Sequence, residues 1–312
     1  MAPKFERPVS PVPAAWPTGQ AYGEAKPPAG APAAADLVWR DVFPDGRLQK
    51  IVAMALENNR DLRLAILNVE KARALYGIQR AELFPAVDAA GSANRTRVPA
   101  DLSTTGQAGT TSQYSVSLGV SSWEIDFFGR LRSLKDAALE EYLATDEERR
   151  SARLLIVSTV ANAYLTLAAD RENLKHSSST LEAQEVSYRL IKKRYDVGLT
   201  SDLDLKRSQS QVDAARVDVE KNTRLVAQDE NALNLLVGMP VPPDLLPETL
   251  ASVTPPKEVT PGLSSDQLLR RPDMIAAEHR LKEANANIGA ARAAFFPRIS
   301  LTTYIGTAST DL

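Results

Sequence analysis

Two histidines and two closely spaced acidic pairs are the places where this sequence offers residues able to do chemistry. Glu124 and Asp126 stand two apart in "SWEIDFFG", and a carboxylate pair of this kind serves general acid–base catalysis when a second cluster completes the site. No such cluster follows them. His176 and His279 are isolated, and "AAEHRL" lacks the partner spacing of a zinc-binding helix. Asp202 and Asp204 repeat the two-residue spacing in "GLTSDLDL", where their residue type suits the capping of a following helix. The chain has no cysteine, which excludes disulfides, thiolate catalysis and Cys-ligated metal within it. The reading is of a protein without catalytic residues, cofactor or metal.

Composition narrows the classes further. Of 312 residues, 44% are hydrophobic and 24% charged, within the ordinary range of folded chains, and the formal net charge is −2. Lys and Arg are interspersed rather than clustered, so nucleic acid is not an expected partner. No uninterrupted run reaches the ~18 apolar residues of a transmembrane helix, so a membrane role is expected to come through strands. No charged segment followed by an apolar one opens the chain, so the protein is expected either to be cytoplasmic or to have had its secretory signal removed.

The elements that would position these residues follow in order. Residues 1–45 are rich in Pro, Ala and Gly, and read as an extended arm lying on something else, with Leu37, Val38 and Trp39 as its anchor. Residues 46–85 carry helical spacing from Leu48 to Ala81, ended by Pro85. Residues 86–128 read as a hairpin: Tyr114, Val116, Leu118 and Val120 alternate with Ser115, Ser117, Gly119 and Ser121. That length matches a transmembrane β-strand of ~9 to 11 residues, although a half-buried strand in a soluble sheet alternates in the same way.

Residues 129–238 contain no proline before Gly238 and predict two long helices joined by a turn near 196–202. In the second, Leu205, Val212, Val219, Val226 and Leu233 recur every seven residues. The companion seam, three residues later, is Ser208, Ala215, Asn222, Asp229 and Leu236, small or polar for most of its length. One apolar seam beside a thin, polar one predicts close helix packing with the far face wet. Residues 239–263 are a proline-rich connector.

Residues 264–312 then begin again, with a helix and a first strand expected. "ARAAFFPRISLTTY" echoes "QRAELFPAVDAAG", and Pro297 falls 212 positions after Pro85. At that fixed offset Leu56, Asp61, Gly77, Arg80, Ala81 and Phe84 meet Leu268, Asp273, Gly289, Arg292, Ala293 and Phe296. Two similar halves are implied, the second barely started, with Ser264 or Ser265 as its expected N-cap. A second half as long as the first would need roughly 150 to 170 residues beyond Leu312, so a fragment is expected.

Four stretches together resemble one family: "SWEIDFFGRLRS", "RYDVGLTSDLDLKRSQSQV", "LLRRPDMIAAEHRLKEANANIGAARAAFFPRISL" and the opening "PKFERPVSPVPAAWP". The chain resembles the TolC-like outer-membrane factors, in the OprM-type lipoprotein branch of tripartite drug-efflux pumps. The resemblance implies a mainly α fold with a β-hairpin: long coiled-coil helices of an α-helical tunnel, and strands of a trimeric outer-membrane β-barrel. It implies a passive exit duct in a Gram-negative outer membrane, surrounded by outer-membrane lipid. Its partners would be a homotrimer, a periplasmic adaptor protein and an inner-membrane RND-type transporter. Branch members are lipidated on a cysteine ahead of the opening stretch, which places any anchor outside this sequence.

The same resemblance puts Val197, Gly198, Leu199 and Thr200 at the adaptor-contacting tip, and Asp202 and Asp204 toward the constriction that closes the tunnel. On residue types alone the four tip residues equally make an ordinary helical-hairpin turn. Trp123, Phe127, Phe128 and Gly129 would form the barrel-to-helix junction, with the aromatics as a membrane belt. The competing reading is a soluble coiled-coil scaffold whose hairpin is only a small sheet.

Overall fold

The computed structural model describes residues 2–7, 38–104, 106–256 and 265–311. Most of the expected arm, residues 8–37, and Ser264 lie outside them. The described chain is mainly helical, with one antiparallel sheet. Its elements are α1 (Trp39–Val42), α2 (Gly46–Asn58), α3 (Arg60–Ala81), β1 (Asp88–Val98), β2 (Gly109–Glu124), α4 (Arg130–Asp196), α5 (Asp202–Val237), α6 (Pro272–Ala293) and β3 (Ser300–Ser309). Two compact units divide the residues. The first takes in Met1–Val9, Asn68–Glu147 and Asp273–Leu312, and the second Ser10–Leu67 and Glu148–Pro272.

In the second unit the apolar stripes converge. Leu48, Ile51, Val52 and Ala55 of α2 pack with Val160, Tyr164 and Leu167 of α4 and Leu233 and Val237 of α5. Judged by uninterrupted apolar runs, the sequence predicts no membrane-crossing helix. By mean hydropathy, α4 contains an 18-residue window apolar enough to cross a membrane. Of that window 39% is buried, and Ile156, Val157, Val160, Ala161, Tyr164 and Leu167 of α4 lie in this core.

The single helix expected over 48–81 is divided at Asn59. Its backbone is extended (φ −62°, ψ 128°), its N–H closes α2 on the Ala55 carbonyl, and its Oδ1 accepts from Leu62 N at 3.0 Å to start α3. Its Nδ2 donates to the Leu236 carbonyl at 2.7 Å, so the break is fastened to the end of α5. Gly238, which ends α5 in the left-handed region (φ 83°), lies against this break: a Cβ there would stand 2.5 Å from the Asn58 carbonyl oxygen. Gly238→Ala therefore combines a disfavoured φ with a backbone clash. A loss of about 1 to 3 kcal/mol is expected, read as a lower urea midpoint for the second unit.

Along α5 both seams turn inward. Val212 and Leu233 of the apolar seam are buried, and so are Ser208 and Ala215 of the companion seam. The polar members of that seam find partners on α4. Asn222 Nδ2 donates to Ser177 Oγ at 3.1 Å, while Asp229 meets Asp170, itself bonded by Asn173. Burial first, then the neighbouring Asp170, holds the Asp229 carboxyl above its ordinary 3.8. A carboxyl whose pKa is raised on folding stabilises the fold at low pH, and that contribution is lost as pH rises through the raised value. Asp229→Asn is accordingly expected to unfold at higher urea than the wild type at pH 7.5. At pH 4 the difference should shrink.

In the first unit the sequence repeat is visible as structure. α3 and α6 have 22 residues each and lie at the same 212-residue offset, so that Arg60 corresponds to Pro272 and Ala81 to Ala293. α6 starts at Pro272 rather than at a serine cap, because residues 265–270 form a 3-10 turn ahead of it. The sheet order is β1-β2-β3, both pairs antiparallel. Leu118 lies opposite Ala89 on one side and Ile305 on the other, and Val116 opposite Gly91 and Thr307. β3 is exposed along its whole length, and β1 everywhere except at Val98.

Candidate functional site

Two places carry the residues singled out by the sequence, one in each unit. In the first unit, Glu124 and Asp126 are not a catalytic pair, because both carboxylates are committed to structure. Glu124 ends β2 and takes a bidentate contact from Arg130, at 2.9 Å from Nε and 2.6 Å from Nη2. Asp126 accepts from Leu131 N at 3.2 Å and from Arg132 N at 2.9 Å, satisfying donors that the first turn of α4 would otherwise leave open. The Arg132 guanidinium closes on the same carboxylate at 3.1 Å. These backbone and arginine bonds outweigh desolvation and hold the Asp126 carboxyl below its ordinary value.

Gly129 (φ 78°) makes the turn between Asp126 and α4, and its carbonyl accepts from Ser133 N. Phe128 stacks on Phe296 at 4.5 Å, and Ile125 N donates to the Ile299 carbonyl. The exit of β2 and the entry of β3 are thus tied by an aromatic pair and a backbone bond. Of the three expected belt aromatics, Phe127 is exposed; Phe128 turns onto Phe296, and Trp123 is half-buried with its indole N–H buried and unpartnered. Phe295 is 91% exposed beside them. The sequence reading missed Arg130, Phe295 and Phe296 as members of this junction. The doubled Phe ahead of Pro297, where the first copy has Leu83 and Phe84, was the available signal.

In the second unit, α4 ends in a Schellman motif. Leu199 N donates to the Arg194 carbonyl at 2.8 Å and Gly198 N to the Tyr195 carbonyl at 2.9 Å, with Gly198 left-handed at φ 74°. The reversal leaves Val197 and Leu199 exposed, at 69% and 68%. Neither expected aspartate is the N-cap of α5; Ser201 is, its Oγ accepting from Asp204 N at 3.1 Å. Serine occupies the extended position before the helix, and Asp204, three residues on, completes a capping box. The Asp204 carboxylate takes Ser201 Oγ at 2.6 Å and Thr200 Oγ1 at 3.1 Å, and these bonds hold its pKa below the ordinary 3.8. Asp202 lies in the same first turn, where a negative charge complements the helix dipole.

Ser201→Ala is expected to cost about 1 kcal/mol locally, seen as faster amide exchange over the first turn of α5 with the core unchanged. A lowered carboxyl pKa contributes stability above its unfolded value and loses it as pH falls, so acidification below the ordinary carboxylate range should fray the same turn.

These arrangements hold strands and helices in register and leave apolar side chains at a turn and along a sheet. The family model for outer membrane efflux proteins matches residues 51–239 and 263–312. The chain belongs to the outer membrane efflux protein family.

Relatives and structures agree with that membership. The chain is 49% identical over 312 residues to the probable efflux pump outer membrane protein TtgC of Pseudomonas putida, covering 100% of this chain and 64% of that relative. It is 43% identical over 319 residues to the outer membrane protein OprJ of Pseudomonas aeruginosa, again covering 100% of this chain and 64% of the relative. The chain thus spans less than two thirds of the length of these relatives. Among solved structures, the open state of the MtrE outer membrane channel of Neisseria gonorrhoeae superposes with a TM-score of 0.84 at 37% identity, covering 100% of this chain and 67% of that one. The fold is that of the TolC-like outer membrane channels.

Proposed function

We propose that the full-length protein is the outer-membrane exit duct of a tripartite RND-type efflux system, conducting substrates passively from periplasm to exterior. The observation that carries this reading is the sheet. β3 is exposed at every residue and β1 at nearly every one, and Val116, Leu118, Tyr304 and Ile305 are 51% to 80% exposed. Two bare faces and two open edges are the state of strands awaiting closure, and a membrane tolerates strands only when closure removes the edges.

Three copies, each adding a further strand from the remainder of a second repeat, would close one barrel. The alternating face of Val116 and Leu118 would then meet lipid, with Phe127 at its boundary. A soluble scaffold would need one sheet face covered, which supports the duct over that alternative. Membership of the efflux protein family supports a channel rather than an enzyme. Energy would come from an inner-membrane transporter.

The turn of Val197, Gly198, Leu199 and Thr200, exposed at its first three residues, is the surface offered to a periplasmic adaptor. Asp202 and Asp204 stand next to it as candidates for the tunnel constriction, where carboxylates repeated by threefold symmetry would repel one another and favour cations.

The test is conductance. Purified full-length protein reconstituted in planar bilayers should form cation-selective channels as a detergent-stable trimer, and its gene should restore efflux to a strain lacking its own duct. A soluble monomer without conductance would overturn the reading.

A further inference from the structure

We infer that the stripe Glu278, Lys282, Asn285 and Gly289 on α6 is a docking groove for an extended peptide of the pattern Ala-Pro-x-Phe-x-Arg, filled in cis by residues 2–7 of the same chain. All four positions are engaged. Glu278 pairs with Arg7, and the Lys282 ammonium lies over the Phe5 ring at 5.4 Å from its centroid. Asn285 Nδ2 donates to the Pro3 carbonyl at 2.7 Å. At Gly289 the peptide backbone touches the helix, for a Cβ there would stand 2.9 Å from both the nitrogen and the Cβ of Ala2.

The spacing fits one extended strand on one helix. Five extended steps from Ala2 to Arg7 span about 17 Å at ~3.3 Å per residue. Eleven helical steps from Glu278 to Gly289 span about the same distance at 1.5 Å per residue. The strand therefore runs antiparallel to α6 with contacts in register at both ends. Arg7 with Glu278 is half-exposed and contributes modestly. The part-buried amide bond to Pro3 and the close approach at Gly289 fix the register.

The internal repeat supplies a control within the molecule. At the 212-residue offset the same stripe on α3 reads Ile66, Glu70, Arg73 and Gly77. An apolar side chain replaces the acid, an acid replaces the lysine and a cation replaces the amide. All four α3 positions are exposed, and a Cβ on Gly77 would meet nothing within 4 Å. Only Gly is kept, and among the described residues no segment lies against it. The groove thus distinguishes two otherwise similar repeats and fastens the start of the chain to the second. It uses none of the residues on which the duct reading rests, so the two stand or fall separately.

The experiment is engineered cross-linking in the full-length protein. Ala2→Cys with Gly289→Cys should form a disulfide under mild oxidation, and Phe5→Cys with Lys282→Cys should be joined by a short bifunctional thiol reagent. Both products should migrate as single chains on denaturing gels. The control, Ala2→Cys with Gly77→Cys, should link at least about tenfold more slowly, because a docked segment has a high effective concentration only at its own groove. The second pair leaves Gly289 intact, so a folding defect from the first does not hide the result. Links to a neighbouring copy, equal rates at Gly77 and Gly289, or no link in either pair would overturn the inference.

Discussion

Leu167→Ala is expected to lower the stability of the second unit by about 2 to 5 kcal/mol, whereas Tyr164→Phe, one helical turn away in the same core, should cost almost nothing. Both side chains are 0% exposed. Leu167 contributes only apolar contacts, so truncation loses the transfer free energy of its methyl groups and leaves a cavity that close-packed neighbours cannot fill. Tyr164 contributes a ring and a hydroxyl, and the hydroxyl is buried without a hydrogen-bond partner.

Burial pushes the Tyr164 pKa up to about 12, so the group is neutral at any working pH and its cost is the unmet hydrogen bond. Phenylalanine keeps the ring and removes that cost, typically about 1 to 3 kcal/mol for an unpaired buried polar group. The change should therefore be neutral or stabilising. Urea unfolding of the full-length protein in detergent, followed by helical circular dichroism, separates the two. A Tyr164→Phe loss as large as that of Leu167→Ala would show that the hydroxyl is satisfied in the assembled protein.

The core that this experiment probes was legible in part. Leu48, Ile51, Val52 and Ala55 announced themselves by three-and-four spacing, and Leu233 by its heptad. Periodicity exposes a stripe that faces one partner. A search for uninterrupted apolar runs is blind to apolar content broken by polar residues, as in α4, where Ser158, Thr159 and Asn162 stand among the apolar residues from Leu154 to Leu167. The break at Asn59 was hidden because asparagine can cap a helix through its side chain or sit within one. The deciding bond runs 177 residues away to Leu236. No local signal contains it.

The repeat was the most informative signal, since one offset placed α6 and β3 on α3 and β1. It was silent about what differs between the copies. Glu278, Lys282 and Asn285 look like ordinary helix-surface residues until residues 2–7 are seen against them. At the turn after α4, Gly198 marked the reversal, yet the cap went to Ser201 rather than to either aspartate. Both residue types cap helices, and backbone geometry chooses between them.

Leu118→Arg should abolish assembly in the membrane, while Ser117→Arg, its neighbour in sequence, should assemble and alter conductance. The two side chains point to opposite faces of β2 because strand periodicity is two. Leu118 lies between Ala89 and Ile305, and Val116 between Gly91 and Thr307, which makes their face the apolar one. Ser117 lies between Ala90 and Gly306, on the face that β2 lines with Ser115, Ser117 and Gly119. Both positions fall in the middle of the 16-residue β2, where arginine facing lipid costs about 2 to 4 kcal/mol in each copy. In a trimer that cost is incurred three times and rivals the whole stability of a domain. A one-residue slip of register cannot relieve it, since the slip would turn every apolar side chain inward. The measurement is the fraction of each variant recovered from the outer membrane as a detergent-stable trimer, followed by single-channel recording of what assembles. If Ser117→Arg blocked assembly and Leu118→Arg did not, the lipid and lumen faces would be exchanged. If neither had any effect, β2 would not lie in a membrane at all.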